Sequence, residues 1–202
     1  MKTTRTYRQD ARAQATAENT QRVIDAALEL FLERPFDQVT LKAVAERAGV
    51  GLQSVIRRVG TKDGLVAMVD EWIGPQVAAT LGNPATVSGP ADVANRFCAH
   101  YERWARLIER TLHQSDVSPA VATNAERGRV AHHEWVVAAF ADDLAAVDSK
   151  TRKRLTARLV AVTGVEVFQI LRRDEGLTLA DTRAALTDLV SGCLTAPAQE
   201  KP

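Results

Sequence analysis

The 202-residue chain contains few of the features that characterise secreted, membrane-spanning or metal-binding proteins. Its two cysteines, Cys98 and Cys193, lie far apart and form no Cys-x-x-Cys pair, which argues against a disulfide framework and a structural zinc site. No apolar run is long enough to cross a bilayer, and the polar N-terminus lacks the apolar stretch of a secretory signal. We therefore expect a cytoplasmic protein without a membrane partner.

Sequence signatures of catalysis and cofactor binding are also missing. The sequence contains no His-Glu-x-x-His segment, no glycine-rich phosphate loop and no serine-nucleophile motif. His132 and His133 are adjacent, and neighbouring residues of a helix point to different faces, so these histidines do not easily join one site. These absences predict that the chain is not an enzyme and holds neither a metal nor a cofactor.

Apolar residues recur at helical spacing almost throughout the chain, which predicts an all-α fold. The first predicted helix covers residues 18–34, and its apolar face contains Val23, Ala27, Leu30 and Phe31. Three arginines precede this helix: Arg5, Arg8 and Arg12. Further helices are predicted over residues 41–48, 52–59, 62–73, 91–113, 119–146 (bent at Gly128), 149–174 and 178–195.

Turn-forming residues are densest between residues 74 and 90, where the Gly74-Pro75 pair is expected to end the fourth helix. The fourth helix bridges the two parts of the chain on either side of these turns, so we place the functional boundary at its start. The prediction is a small N-terminal domain of three helices, residues 1–61, and a larger C-terminal helical domain, residues 62–202.

The predicted helices over residues 41–48 and 52–59 are joined by a turn at Gly49, which is typical of a helix-turn-helix motif. Val55 and Val59 are expected to face inward. The outward positions of the second helix carry side chains that can hydrogen-bond to bases or phosphates: Gln53, Ser54, Arg57 and Arg58. No acidic residue occurs between Arg47 and Lys62, and such a basic surface favours a polyanionic partner.

Residues 22–70 resemble the N-terminal DNA-binding domain of TetR-type transcriptional regulators. The resemblance rests on the segments AALELF, T-x-x-x-V-A-E-R-A-G-V and T-K-D-G-L, which occur in the order and spacing of that family. Two C-terminal segments, Gly128–Val136 and Leu171–Leu177, resemble some family members more loosely. The family resemblance implies a homodimer that binds double-stranded DNA, at a palindromic operator, and responds to a small-molecule effector.

The resemblance also implies roles for individual residues. Thr40 and Lys62, at the starts of the second and fourth helices, would each contact a phosphate. The side chains facing DNA would be Gln53, Ser54 and Arg57. Many members have an aromatic residue where this chain has Ile56, so Arg58 is the expected replacement as a phosphate contact. Arg5, Arg8 and Arg12 would form either a disordered arm in the minor groove or a mobile tail.

The C-terminal helices carry candidate residues for dimerisation and for effector binding. The interface is expected in the last two helices, whose apolar stripes contain Leu155, Leu159, Val162, Val165, Phe168, Leu171, Leu186, Leu189, Val190 and Leu194. Bulky residues with few polar groups suggest an effector pocket: Phe97, Tyr101, Trp104, Ile108, His132, Trp135, Val136 and Phe140. Both sets are also compatible with an ordinary monomer core.

The main prediction is therefore a ligand-responsive homodimeric regulator, with repression favoured over activation. The alternative is a helical small-molecule carrier or enzyme in which the N-terminal hairpin is purely structural. The acid-free surface around Arg57 and Arg58 argues against that alternative, because a structural hairpin needs no adjacent exposed arginines.

Overall fold

A computed structural model describes the backbone of residues 3–195 and the side chains of residues 14–195. Regular structure in this part of the chain is helical, which confirms the all-α prediction. The helices are α1 (Thr3–Glu33), α2 (Leu41–Ala48), α3 (Leu52–Val59), α4 (Lys62–Leu81), α5 (Pro90–His113), α6 (Pro119–Ala139), α7 (Ala141–Ala145), α8 (Ser149–Val162), α9 (Val165–Gln169) and α10 (Leu179–Thr195). Two 3₁₀ turns, Phe36–Gln38 and Pro84–Thr86, and a π-helical turn, Ile170–Asp174, complete them.

The chain divides into two compact units. The first unit contains the chain up to residue 74 together with residues 110–124, and the second contains residues 75–109 together with the chain from residue 125 onward. The two units are defined by packing, and each combines separate stretches of the chain. They do not test the functional boundary between residues 61 and 62, which stays a prediction. None of the described helices is long and apolar enough to cross a membrane.

Helices α2 and α3 begin and end at the predicted residues, and local hydrogen bonds explain why. The Thr40 hydroxyl oxygen accepts the Ala43 N–H at 3.1 Å, which caps the start of α2. Gly49 ends α2 with φ of 64°, a backbone conformation that glycine adopts without steric cost. The Thr61 hydroxyl accepts the Gly64 N–H at 3.1 Å and caps α4 in the same way.

Helix α1 is longer than predicted. Its backbone is helical from Thr3, so the expectation that Arg5, Arg8 and Arg12 precede the first helix is wrong. The reason is compositional, since no glycine or proline interrupts the sequence before Pro35 and the added segment is rich in alanine. The side chains of these three arginines lie outside the described residues.

Helix α4 also extends beyond its predicted end, because it continues through Gly74-Pro75 to Leu81. A proline removes its own N–H donor and its ring crowds the carbonyl four residues earlier, which weakens a helix without always ending it. The chain that follows contains no further helix breaker until Gly82. Gly82 then adopts φ of 67° and ends the helix. The division between the two compact units falls at this Gly-Pro pair.

Two predicted long helices are interrupted at positions the sequence did not indicate. The 119–146 segment breaks at Phe140 (φ −115°, ψ 28°), whereas Gly128 remains inside α6. The 149–174 segment breaks at Thr163 and Gly164. The second break frees the Thr163 carbonyl from helical bonding, and the buried Tyr101 hydroxyl donates to it at 2.7 Å. Tertiary contacts therefore compete with helix continuation at Thr163.

The core of the first unit fixes the positions of α2 and α3. Buried side chains from each of its helices include Val23, Ala27 and Leu30 of α1, Val44 of α2, Val55 of α3 and Leu65 of α4. A smaller cluster joins Phe36, Val66 and Val121. Burial of these side chains stabilises the helix-turn-helix pair by roughly 1.5–3 kcal/mol for each large side chain that is fully removed from water.

Candidate nucleic-acid interface

Helix α3 is anchored on one side and exposed on the other. Val55 is 1% exposed and forms its anchor, while Val59, also expected to face inward, is half-buried. The four predicted contact residues are all exposed: Gln53, Ser54, Arg57 and Arg58. Burial of Val55 therefore holds α3 in place without using any of its hydrogen-bonding side chains.

The exposed side chains of α3 form separate strips, because successive residues of a helix are about 100° apart around its axis. Gln53 and Arg57 lie one turn apart on the side away from the first unit's core. Ser54 and Arg58, also one turn apart, lie on one flank. A groove-binding helix of this kind presents its outermost strip to base edges and its flanks to the backbone of the nucleic acid.

A cleft of about 540 Å³ lies beside the Ser54–Arg58 flank. It is bounded by α1, the turn between α2 and α3, and α3 itself; its lining residues are Thr16, Asn19, Arg22, Val23, Gly49, Val50, Gly51, Ser54, Val55, Arg57 and Arg58. Three of these residues are arginines and none is acidic. Such a lining suits an anion such as a phosphodiester group.

The charges of Arg57 and Arg58 are not compensated by the described part of the chain, where no ion pair or hydrogen bond engages their guanidinium groups. Arg47 differs, since its Nη1 atom lies 2.9 Å from Glu29 and 2.8 Å from Glu33. Hydrogen bonds to Glu33 and Glu29 raise the pKa of Arg47 above its usual value. Arg47 therefore joins α2 to α1, and the free positive charge is concentrated on α3.

Thr40 and Lys62 occupy different situations. The Thr40 oxygen accepts the cap hydrogen bond, which leaves its own hydroxyl proton available for a phosphate. The Lys62 ammonium donates to the carbonyls of Phe36 at 2.8 Å and Asp37 at 3.2 Å, and it lies 4.4 Å from the Phe36 ring centroid. These two hydrogen bonds use two of the three N–H donors of the Lys62 ammonium, which leaves one N–H for a phosphate. The phosphate contact of Lys62 stays a prediction.

Sequence reasoning missed the α1 side of the cleft, formed by Thr16, Asn19 and Arg22. The Nη2 group of Arg22 donates to the side-chain oxygen of Asn19, one turn earlier in α1. No local motif marks these residues, since their relation to α3 depends on how α1 packs. The polar i, i+3, i+6 spacing that they share was the available signal, and it also describes an ordinary solvated helix face.

The predicted effector residues lie in the second unit, where several form an aromatic cluster. Phe97 contacts Tyr101, His132 and Trp135, with ring centroids 5.6, 5.4 and 5.1 Å away. Phe140 and Val136 are buried as well. Trp104 and Ile108 are half-buried. The structure therefore brings the core of the predicted set together, as packed side chains.

Three polar groups of this cluster, on Tyr101, His132 and Trp135, are hydrogen-bonded within the chain. The Trp135 indole donates to the Gly82 carbonyl at 2.9 Å, and His132 Nε2 lies 3.0 Å from the Thr163 hydroxyl. The Thr163 hydroxyl donates its own proton to the Leu159 carbonyl at 2.8 Å, so His132 Nε2 is the donor of that contact. Burial lowers the pKa of His132. The lowered pKa favours the neutral form of His132 in this cluster.

Comparison with known proteins gives a match at the N-terminus. Residues 23–69 match the family model of bacterial regulatory proteins, tetR family. The HTH-type transcriptional repressor Rv3405c of Mycobacterium tuberculosis is 32% identical over 90 residues, which are 45% of this chain and 44% of that protein. The chain thus matches less than half the length of this relative. The matched family and this relative are both described as regulators.

Solved structures extend the likeness over most of the chain. A proposed transcriptional regulator from Pseudomonas aeruginosa PAO1 has a TM-score of 0.66 and 16% identity, covering 87% of this chain and 89% of that one. The SmeT–triclosan complex has a TM-score of 0.62 and 16% identity, covering 91% of this chain and 98% of that one. At this identity the likeness concerns the fold alone, a helix-turn-helix unit followed by a helical region.

Proposed function

We propose that this chain is a homodimeric repressor of the tetR family of bacterial regulatory proteins and that it binds operator DNA through α2 and α3. The observation that carries the proposal is the exposed Gln53–Arg57 strip of α3 beside a cleft with three arginines and no carboxylate. Gln53 pairs with adenine and Arg57 with guanine in the major groove. Arg58 and Arg22 bind the phosphates of the adjacent strand.

A second copy of α3 is needed because one recognition helix reads only a few base pairs. Two copies related by a twofold axis, with recognition helices about 34–36 Å apart, read a palindrome on one face of the duplex. Support for a dimer surface in the second unit comes from Ile170 and Leu189, which are 49% and 41% exposed. Leu189 belongs to the predicted stripes, whereas Ile170 does not. Six of the other nine stripe residues are buried within the chain: Leu155, Leu159, Val165, Phe168, Leu186 and Val190.

Effector release is the finer part of the proposal. The SmeT neighbour is a complex with triclosan, a small molecule, and the aromatic cluster around Phe97 is the equivalent candidate here. Helix α4 has residues in both compact units, so a change at its C-terminal end is carried covalently to the DNA-binding unit. The effector lowers operator affinity only by the difference between its affinities for the two conformations.

Selection from a randomised duplex pool at two salt concentrations tests the DNA-binding proposal. The wild-type chain is expected to enrich a palindrome, and the Arg57→Ala/Arg58→Ala variant is expected to lose that enrichment while keeping its thermal unfolding curve. Arg154→Ala, an exposed arginine of α8, is the matched control and should bind like wild type. Equal enrichment by the double variant would refute the assignment of α3, and the absence of any enriched duplex would refute the proposed function.

A further inference from the structure

Helix α3 exposes two large apolar side chains that DNA binding through hydrogen bonds does not use. Leu52 is 36% exposed and Ile56 is 37% exposed. They are four residues apart in a helix, so they lie on the same side of α3, one turn from each other. This apolar flank borders the Gln53–Arg57 strip on the side opposite Ser54 and Arg58.

Only part of the apolar flank is used to anchor the helix. Val55 and the half-buried Val59 already pack α3 against the first unit. Leu52 and Ile56 retain about a third of their surface in water, and each Å² of apolar surface left there forgoes roughly 25 cal/mol of burial free energy. This exposed part of each side chain is available to an apolar partner.

The geometry points to thymine as the partner of this flank. We propose that Leu52 and Ile56 contact the C5-methyl groups of thymines in the operator, and this rests on the proposed DNA-binding function. The thymine methyl is the apolar feature that a base pair offers in the major groove. Arg57 and Arg58 draw the phosphates of a duplex toward α3, and no neighbouring carboxylate in the cleft repels them.

The same arrangement predicts the composition of the half-site. Gln53 and Arg57 hydrogen-bond to purines, adenine and guanine respectively. Leu52 and Ile56 lie beside them on the same helix, so the thymines they contact occupy positions adjacent to those purines. The half-site is therefore expected to contain thymine next to the base pair that Gln53 or Arg57 reads.

Deoxyuridine substitution isolates the methyl group, because deoxyuridine pairs like thymidine and differs from it only by the missing C5-methyl. The probe is the duplex enriched from the randomised pool, with each thymine replaced by deoxyuridine in turn, symmetrically in both half-sites. Wild-type affinity should fall about fourfold for each methyl removed at a contacted position, or about fifteenfold for the symmetric pair. Positions outside the contact should show no change.

Variants assign the effect to the two side chains. Ile56→Ala and Leu52→Ala should each weaken binding to the thymine duplex and each lose discrimination between thymidine and deoxyuridine at one position. Val117→Ala, which removes methyl groups from a 45% exposed valine of the same unit, is the control and should discriminate like wild type. Thermal unfolding of all variants checks that the fold is intact.

The outcomes separate this inference from the proposal on which it rests. Enrichment of a duplex that binds equally well with thymidine or deoxyuridine at every position overturns the role of Leu52 and Ile56 and leaves DNA binding standing. Discrimination that survives in both alanine variants overturns it too, by assigning the methyl contact to other residues. Failure to enrich any duplex overturns the proposed function and this inference with it.

Discussion

Arg22 provides a quantitative test of the arginine cleft. Its guanidinium group lines the cleft from α1, together with Arg57 and Arg58 from α3. If Arg22 and Arg58 each neutralise one phosphate, a dimer makes four such contacts, and log affinity falls with log salt with a slope of about −3.6 from them alone. Replacing Arg22 with alanine removes two of the four and leaves a slope of about −1.8.

The change is large enough to measure over an ordinary salt range. Between about 50 and 200 mM salt, the wild-type phosphate contacts of Arg22 and Arg58 account for a roughly 150-fold loss of affinity, and those that remain in Arg22→Ala for a roughly 12-fold loss. Fluorescence anisotropy titrations at four salt concentrations, with the selected duplex and with a scrambled duplex, give both slopes. The Arg22→Ala effect should be similar on the two duplexes, because phosphate contacts carry no base information.

Two further variants distinguish charge from packing. Arg22→Lys keeps the positive charge and should retain the wild-type slope, whereas Asn19→Ala removes the hydrogen-bond partner of Arg22 and keeps the charge. An Arg22→Ala slope equal to that of wild type, with normal thermal unfolding, would refute the phosphate contact. A weaker affinity with an unchanged slope would mean that Arg22 acts through the shape of the cleft.

Two predictions concern the stability of the second unit. Tyr101→Phe leaves the buried Thr163 carbonyl without the 2.7 Å hydrogen bond, so urea denaturation should give a free energy of unfolding lower by about 1–3 kcal/mol; an unchanged value would mean that the helix reforms at Thr163. Burial, with a smaller contribution from His132, lowers the pKa of His100 from 6.5 to about 4. Between pH 6.5 and 4 the His100 imidazole is protonated in the unfolded chain but not in the folded chain. The free energy of unfolding is therefore highest above pH 6.5 and decreases as the pH drops toward 4. Denaturation curves of wild type and His100→Asn between pH 7 and 4 check this, and identical slopes against pH would contradict it.

The sequence predicts the end of a helix correctly where neighbouring residues determine that end. Thr40 and Gly49 bound α2 through a side-chain cap and a left-handed residue, and both effects involve neighbours within a few positions. The ends of α2 were predictable for that reason. Pro75 misled the prediction because a proline weakens a helix locally, through its missing N–H and its ring, and the rest of the chain decides whether the helix continues.

The candidate site likewise has features that follow from local sequence and features that depend on residues distant in sequence. The outward positions of α3 follow from the period of a helix, once Val55 is recognised as its buried residue. The distinction between Arg47 and Arg57 does not follow, because it depends on two carboxylates of α1 that lie 14 and 18 residues away in sequence. The contribution of Arg22 to the cleft has the same non-local origin.

The aromatic cluster constrains how an effector would act. Phe97, Tyr101 and Trp135 are already packed against one another, and the Tyr101 and Trp135 donors are already satisfied. An effector that enters among them has to separate packed rings, and each buried hydrogen bond that it breaks without replacing costs about 1–3 kcal/mol. An apolar molecule that displaces ring contacts and leaves the Thr163 and Gly82 carbonyls bonded avoids that cost. Its binding free energy then remains available to favour the conformation with low operator affinity, which is the only way in which it can release DNA.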